Sequence, residues 1–310
     1  MRVSLIVTVK NEADTIKAFL DSVAAQTRRP DQIVVVDGGS TDATMSILAV
    51  HPLDMIREYW PSNIAAGRNR AISQASGDVI AVTDAGCLLD QRWLERITDL
   101  QGADVVVGGY APVITNLFDA CQYSLHHIFR SSDRIENFAI SSRSLAFRKI
   151  VWEELGGYPE WLDFSEDTYF HDKIRASRFV IRLDPEPLVH WGLRPDLMSV
   201  YRQFFRYMRG DGKARQHTGR HTTRLAAYGT GVLLACMSLS RPAWLIPLTL
   251  GIGVYLWQPV SNFRRLGVYP LSLRAVLWMA AMLLVVDLAK IGGYLTGLRD
   301  SPVLPRDDSR

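Results

Sequence analysis

The chain has 310 residues, enough for one large domain or two smaller ones. A formal net charge of +3 excludes a dedicated nucleic-acid binder, which carries a marked basic excess. The 48% hydrophobic content is ordinary as an average but is unevenly distributed, with apolar residues crowded into the C-terminal part.

Val3 to Val9 reads as a short apolar strand, and Asn11-Glu12-Ala13-Asp14 supplies turn and helix-start chemistry. Ile16, Phe19, Leu20 and Val23 then recur at helical spacing. Pro30 and Asp31 break the chain before a strand over Ile33 to Val36, and Thr41-Asp42 is expected to cap a second helix carrying Met45, Ile47 and Leu48. Ile64 to Ala75 is helix-like, Gly77-Asp78 is a turn, and Val79 to Thr83 is the next strand. Trp93 to Leu100 reads as helix and Val105 to Val107 as a further strand, after which the pattern loosens beyond about Tyr110. This alternation predicts an α/β fold with a mostly parallel sheet flanked by helices and right-handed crossovers.

Leu225 to Trp257 and Ala275 to Leu295 are dominated by Leu, Val, Ala, Gly, Met and Trp. A membrane span needs roughly 20 apolar residues, a length the second stretch meets. The first is too long for one span, and Ser240-Arg241-Pro242 interrupts it, which predicts a tight helical hairpin and about three helices in all. Asp287 and Lys290 lie one helical turn apart and are placed to pair on one face. Arg206, Arg209, Lys213, Arg215, Arg220 and Arg224 precede the first apolar stretch, and Arg264, Arg265 and Arg274 lie between the hairpin and the last one. With three spans both clusters fall on one side, which the positive-inside bias makes cytoplasmic. Met1 to Ile6 opens on a strand-like run without a signal-peptide pattern. The expectation is a multi-pass protein of the inner (cytoplasmic) membrane, its α/β part in the cytoplasm and the tail after Arg299 outside. Cys87, Cys121 and Cys236 are far apart and lack metal-ligand spacing, so they read as reduced thiols.

The chemistry concentrates at strand ends. Val34-Val35-Val36-Asp37-Gly38-Gly39-Ser40-Thr41-Asp42 and Val82-Thr83-Asp84-Ala85-Gly86 are β-branched runs that stop on an acid followed by small residues. In open α/β sheets ligands sit at the carboxyl ends of strands. Neither the Gly-x-Gly-x-x-Gly fingerprint nor a Gly-x-x-x-x-Gly-Lys-Ser/Thr loop is present. Carboxylates stand there instead: Asp37, Asp84 and later Glu166-Asp167. A carboxylate repels a nucleotide diphosphate unless a divalent cation lies between them. Mg²⁺ or Mn²⁺ is normally held by one or two carboxylates plus substrate phosphates. That logic favours a metal-dependent nucleotide-sugar enzyme over a hydride-transfer enzyme.

The run from Val3 through Asp42, Arg68-Asn69 with Gly77-Asp78, Thr83-Asp84-Ala85-Gly86 and Ser165-Glu166-Asp167 together resemble glycosyltransferase family 2, of the GT-A fold. The resemblance covers roughly the first two-thirds of the chain, to about Arg215. It implies a catalytic domain over residues 1–220, with an interfacial helix near 197–215. Residues 221–310 are then a membrane region ending in a short polar tail. By that resemblance Asp37 hydrogen-bonds the base or ribose, Thr8, Asn11 and Glu12 line the nucleotide, and Arg68 lies near it, an exposed helix arginine being the alternative. Asp42 serves as a helix cap and Asp78 as a turn residue.

Asp84 carries the first position of the family's Asp-x-Asp metal motif, but Gly86 replaces the second acid. A weaker cation site, or one completed elsewhere, follows. His190 matches a position where related enzymes offer a histidine to the metal, a structural histidine at a strand end being equally compatible. Asp167 corresponds to the base that takes the proton from the acceptor hydroxyl, with Glu166 orienting its neighbour. Gly156-Gly157-Tyr158-Pro159-Glu160-Trp161 is similar to the acceptor-side loop, where Trp161 stacks on a sugar ring. Gln203-Phe204-Phe205-Arg206-Tyr207 resembles a Gln-x-x-Arg-Trp element with Tyr in place of Trp. Either Arg206 reaches the diphosphate, or this helix only seats the domain on lipid. Lys10 stands where many relatives have an aromatic residue, which loosens the assignment of the base, UDP being commonest.

The resemblance therefore implies a membrane-anchored inverting glycosyltransferase. It uses a nucleotide-sugar donor, expected to be a UDP-sugar, a divalent cation (Mg²⁺ or Mn²⁺), and a hydroxyl acceptor expected to be lipid-linked or a glycan, with membrane lipids around the anchor. The product belongs to cell-envelope glycan or glycolipid synthesis. Two alternatives stay open. A nucleotidyltransferase would carry a glycine- and basic-rich loop where Asn11-Glu12-Ala13-Asp14 is acidic. A catalytically degenerate membrane scaffold is suggested by Gly86 but opposed by the intact Glu166-Asp167 pair.

Overall fold

The computed structural model describes residues 1–126 and 140–300. They form two compact units, one drawn from Met1–Val113 and the described residues up to Gly192, the other from residues 114–126 and from Leu193 onward. In chain order the elements are β1 (Val3–Val9), α1 (Ile16–Ala24), β2 (Gln32–Asp37), α2 (Thr44–Val50), β3 (Ile56–Tyr59), α3 (Ile64–Gln74), β4 (Val79–Asp84) and β5 (Cys87–Leu89). There follow α4 (Trp93–Thr98), β6 (Val105–Val113), α5 (Leu117–Ser124), β7 (Leu145–Arg148), α6 (Lys149–Leu155), α7 (Glu166–Ala176) and β8 (Ile181–Gly192). The last helices are α8 (Leu197–Lys213), α9 (Thr218–Ser240), α10 (Leu245–Leu266) and α11 (Leu273–Asp300), with a 3₁₀ turn at Pro242–Trp244.

The first unit is built on an eight-stranded sheet in the order β3-β2-β1-β4-β7-β6-β8-β5. β3, β2, β1 and β4 run parallel, as do β6 and β8, while β7 and β5 run against their neighbours. β1, β2 and β4 are covered on both faces, which is why they read as unbroken Val/Ile runs rather than alternating ones. β3 is an edge strand whose Arg57 and Glu58 give it the charged character that protects an open edge. The stripe Ile16, Phe19, Leu20 and Val23 buries one face of α1, as its spacing predicts.

The sheet is mixed where the sequence suggested a mostly parallel one, because β7 inserts antiparallel between β4 and β6. β6 is also longer than expected, running to Val113 with register shifts around Gly108 and Gly109. A side chain on Gly109 would collide with the Glu186 backbone, so the two long strands pass closely only because that residue is glycine. Asp42 caps the helix as expected, but from one residue ahead of the N-cap position. Its carboxylate accepts from the Thr44 amide at 3.0 Å, while Ala43 occupies the N-cap position of α2.

The second unit is helical. Pro242 lacks an amide hydrogen and follows an extended Arg241, so α9 ends there and the chain turns back into α10, giving the expected hairpin. Among the described residues two helices, Pro242–Leu266 and Leu273–Asp300, are long and apolar enough to cross a membrane. α9, whose first turns carry Arg220, His221 and Arg224, is not one of them. α8 and α11 pack backbone to backbone, since side chains on Gly212, Gly293 or Gly297 would strike the opposite helix. Asp287 is buried in α11, and Arg224 of α9 at 2.9 Å is its ion-pair partner rather than Lys290. Tyr228 donates to the same carboxylate at 3.0 Å, and the Tyr255 hydroxyl also bonds it. Lys290 lies over the Phe204 ring instead, 5.1 Å from its centroid. The polar tail beyond Asp300 lies outside the described residues.

Candidate active site

β1 carries the site's frame. Its register sets Thr8 opposite Asp84 of β4 and Val9 opposite Asp37 of β2, so both acids emerge at the same carboxyl edge of the sheet. Two strand spacings separate them, on the order of 10 Å. Asp37 is buried and accepts hydrogen bonds from the Ser40 amide at 3.1 Å and the Ser40 hydroxyl at 2.6 Å, which fixes the turn after β2. Asn11 has φ of 56°, and its side-chain oxygen accepts from the Thr41 amide at 2.8 Å while its own amide donates to Ser40 Oγ at 2.9 Å. It ties two loops together rather than capping a helix. The Glu12 amide donates to Thr44 Oγ1 at 2.8 Å, and its carboxylate accepts from Thr15 Oγ1 at 2.7 Å. The loops after β1 and β2 are thus interlocked around Thr8, Asn11, Glu12 and Asp37.

Arg68 organises the acids. Only 3% of its side chain is exposed, so the reading of an exposed helix arginine is overturned. Its Nη2 donates to Asp84 Oδ1 at 2.9 Å and its Nη1 to Glu166 Oε1 at 2.6 Å, with the Tyr158 ring 5.3 Å from the guanidinium. Burial alone would lower the arginine's pKa, but Asp84 and Glu166 more than offset it and hold the charge. The helix reaches this depth because Gly67 lets α3 settle on β1, where a Cβ would come 3.1 Å from Thr8 Cγ2. Burial pushes the Glu166 carboxyl above its ordinary range, the neighbouring Asp167 charge adds to that, and Arg68 opposes it. Asp167 is half-buried at the start of α7 and accepts from the Thr168 amide at 2.7 Å. Ser165, just before it, has φ of 60°, a left-handed backbone that a non-glycine residue adopts at a cost of about 1–3 kcal/mol. Asp84, Arg68 and Glu166 therefore form one continuous chain of hydrogen bonds from the end of β4 to the start of α7, where Asp167 is the next residue.

Asn69 does the same for the neighbouring loop. Its side-chain oxygen accepts from the Tyr158 amide and from Trp152 Nε1, each at 2.9 Å, and its amide group donates to the Tyr158 carbonyl at 2.8 Å and to Glu160 Oε1 at 2.9 Å. Asn63, whose side chain caps α3, donates to the Glu160 carbonyl at 2.7 Å. Trp161 is held edge-to-face against Tyr169, 5.5 Å between centroids.

Arg143 is a member of the site that pattern reading passes over. The Thr83 hydroxyl donates to its carbonyl at 2.8 Å. Its guanidinium lies 4.5 Å from the Trp191 centroid and 5.3 Å from that of Tyr110, with Nε 3.9 Å from Asp84 Oδ2. Its setting, Ser141-Ser142-Arg143-Ser144, has no periodicity, and the one signal was an arginine next to a strand that partners β4. His190 sits half-buried on β8, opposite Leu88 and Ala111. Among the described residues no group of three or more His, Cys, Asp or Glu side chains could hold a metal by themselves. Asp84, 32% exposed, still fits a hard cation of the kind bound by one carboxylate plus phosphate oxygens. Gln203 and Arg206 belong to α8 in the second unit, where Gln203 donates to the Tyr207 hydroxyl at 3.0 Å and Arg206 is exposed.

Residues 4–151 match the sequence model of Glycosyl transferase family 2. Glycosyltransferase AglE of Haloferax volcanii is 30% identical over 190 residues, which cover 54% of this chain and 59% of AglE. The chain thus spans less than two-thirds of that relative's length. The succinoglycan biosynthesis protein ExoA of Rhizobium meliloti is 24% identical, over 96% of this chain and 94% of ExoA. Among solved structures, the mannosyltransferase PcManGT from Pyrobaculum calidifontis, in complex with GDP-Man and Mn²⁺, superposes with a TM-score of 0.55 over 97% of this chain and 88% of its own, at 18% identity. That likeness is one of fold, and it agrees with a GT-A-type mixed sheet flanked by helices. With its acids gathered at the carboxyl edge of such a sheet, the chain is similar over residues 4–151 to Glycosyl transferase family 2 and, more widely, to glycosyltransferases in sequence and in fold.

Proposed function

We propose that the protein is an inverting glycosyltransferase that moves a sugar from a nucleotide-sugar, a UDP-sugar by preference, to a hydroxyl of a lipid-linked acceptor. The observation that carries this is the Asp84–Arg68–Glu166 chain at the sheet edge, which links a phosphate-side carboxylate to the residue before a half-exposed acid, Asp167. Asp167 takes the proton from the acceptor hydroxyl as its oxygen attacks the anomeric carbon, and the bond to the nucleoside diphosphate breaks on the opposite face. Glu166, clamped by Arg68, positions the start of α7 and so aims Asp167. Thr8, Asn11, Glu12 and Asp37 shape the nucleoside side, and Trp161 offers the acceptor sugar a flat apolar face.

A divalent cation, Mg²⁺ or Mn²⁺, supplies positive charge to the diphosphate when bound. Asp84 is its first ligand, and His190 is the second candidate. The two apolar helices support a membrane-embedded acceptor, and with α9 as a third crossing the basic clusters before α9 and between α10 and α11 would share one side and favour a catalytic unit on the cytoplasmic face of the inner membrane. On this reading α8, basic and aromatic, lies at the lipid surface with Gln203 and Arg206. The product is a cell-envelope glycan or glycolipid.

The test is to incubate the detergent-solubilised protein with a panel of UDP- and GDP-sugars, with and without Mg²⁺ or Mn²⁺, and to measure what is released. Nucleoside diphosphate release supports the proposal. Pyrophosphate release replaces it with nucleotidyl transfer, and no binding or turnover of any sugar nucleotide leaves a scaffold.

A further inference from the structure

Asp84 stands at this edge without the second carboxylate of an Asp-x-Asp pair. Among the described residues, a Cβ at Gly86, where the second acid would stand, would meet one atom within 4 Å, Glu12 Oε2 at 3.6 Å. Beside Asp84 stands a second guanidinium, Arg143, 3.9 Å from Oδ2, near the outer limit of an ion pair. Arg68 cannot serve an incoming anion: it is buried, and both its Nη atoms are committed to Asp84 and Glu166. Arg143 is 21% exposed and is carried on the faces of Trp191 and Tyr110. A planar guanidinium lying on aromatic faces keeps its N–H edge directed in its own plane. It is also pre-organised, so it loses little freedom on meeting a phosphate.

A nucleoside diphosphate brought to this edge faces the negative charge of Asp84. As the anomeric bond breaks, charge also builds on the departing phosphate oxygen, where a fixed cationic donor is most effective. We propose that Arg143, seated on Trp191 and Tyr110, is a phosphate-binding residue that contacts the diphosphate beside Asp84 and supplies part of the positive charge that a second carboxylate would otherwise recruit through a metal ion. This rests on the glycosyltransferase reading above. It has a consequence that reading lacks: nucleoside diphosphate binding persists when divalent cations are removed, and it depends on residue 143.

Calorimetric titration of the full chain in detergent, with EDTA and separately with Mg²⁺, tests this using UDP, GDP and the corresponding nucleosides. The wild-type protein should bind one nucleoside diphosphate in EDTA. Arg143→Gln should weaken that binding about tenfold or more, the scale of a lost charge-assisted hydrogen bond, while nucleoside affinity stays level. Arg143→Lys should recover part of the loss, since it restores the charge but not the flat stacked edge. Equal diphosphate affinity in wild type and Arg143→Gln in EDTA overturns the proposal, as does wild-type binding that vanishes without cation. Parallel loss of nucleoside and diphosphate binding in both variants also overturns it, because residue 143 then serves only the fold. A wild-type protein that neither binds nor consumes any sugar nucleotide under either condition instead refutes the glycosyltransferase reading itself.

Discussion

Asp167 and Glu166 are neighbours in sequence but occupy different electrostatic worlds. Glu166 is nearly dry and locked to Arg68, whereas Asp167 is partly exposed at the helix start. Asp167→Asn should slow transfer by about 10²- to 10⁴-fold, the usual worth of a positioned general base. Nucleoside diphosphate affinity should stay within about twofold. A transfer assay with a radiolabelled donor and calorimetry on the same preparation measure both, and near-normal turnover would remove the base assignment. Deeper in, His171 lies 3.1 Å from Ser142 Oγ, which in turn lies 2.9 Å from the Tyr158 hydroxyl. Burial pushes this imidazole down to about 4. Between its ordinary value near 6.5 and that value the unfolded chain takes up a proton that the folded one refuses. Stability should therefore fall as pH drops through this interval. His171→Gln should flatten that part of the profile, read as the thermal midpoint of the detergent-solubilised protein from pH 7 to pH 4. An unchanged slope would show that other groups set it.

At the scale of elements, two contacts depend on missing side chains. Gly157 has φ of +67°, and a Cβ on it would lie 2.7 Å from Asn69 Oδ1 and from Trp152 Nε1. The loop carrying Trp161 is pinned to α3 through this point. Gly157→Ala combines a backbone penalty of about 1–3 kcal/mol with that clash. It should lower thermal stability and weaken acceptor use more than nucleotide binding, measured as the ratio of transfer to donor hydrolysis. An unaltered ratio would sever Trp161 from the acceptor. Gly293 and Gly297 stand one turn apart on α11 and admit the α8 backbone, as small residues do where helices meet within or beside a bilayer. The Gly-Gly pair at 156–157 was legible as a loop. That α8 and α11 would close on each other was not, because glycines inside a helical pattern weaken the helical signal without naming its partner.

For the molecule as a whole, the division is between a sheet unit that holds the candidate site and a helical unit that holds the apolar stretches. Asp287 draws hydrogen bonds from Arg224, Tyr228 and Tyr255, so α9, α10 and α11 share one buried carboxylate. A charge inside an apolar helix persists only when paired in this way. The full chain should remain with the membrane after alkaline carbonate washing, and its release into the supernatant would overturn the two spans. Disulfides play no part in holding the units, since Cys87, Cys121 and Cys236 are all free thiols.

Some features follow from local chemistry alone. The β-branched runs ending at Asp37 and Asp84, the helical stripe of α1, the hairpin at Ser240-Arg241-Pro242 and the acids opening α7 each depend on a few consecutive residues. Steric and hydrophobic preferences act over that range, so sequence sufficed to place the acids at strand and helix ends. What tertiary structure decided was which charges meet: Arg68 buried between Asp84 and Glu166, Asp287 with Arg224 rather than Lys290, Arg143 lodged on Trp191 and Tyr110. Those pairings join elements distant along the chain. They arise because β7 enters antiparallel beside β4 and α3 sinks onto β1 at Gly67, and Coulomb attraction in a dry interior depends on distance in space, not in sequence.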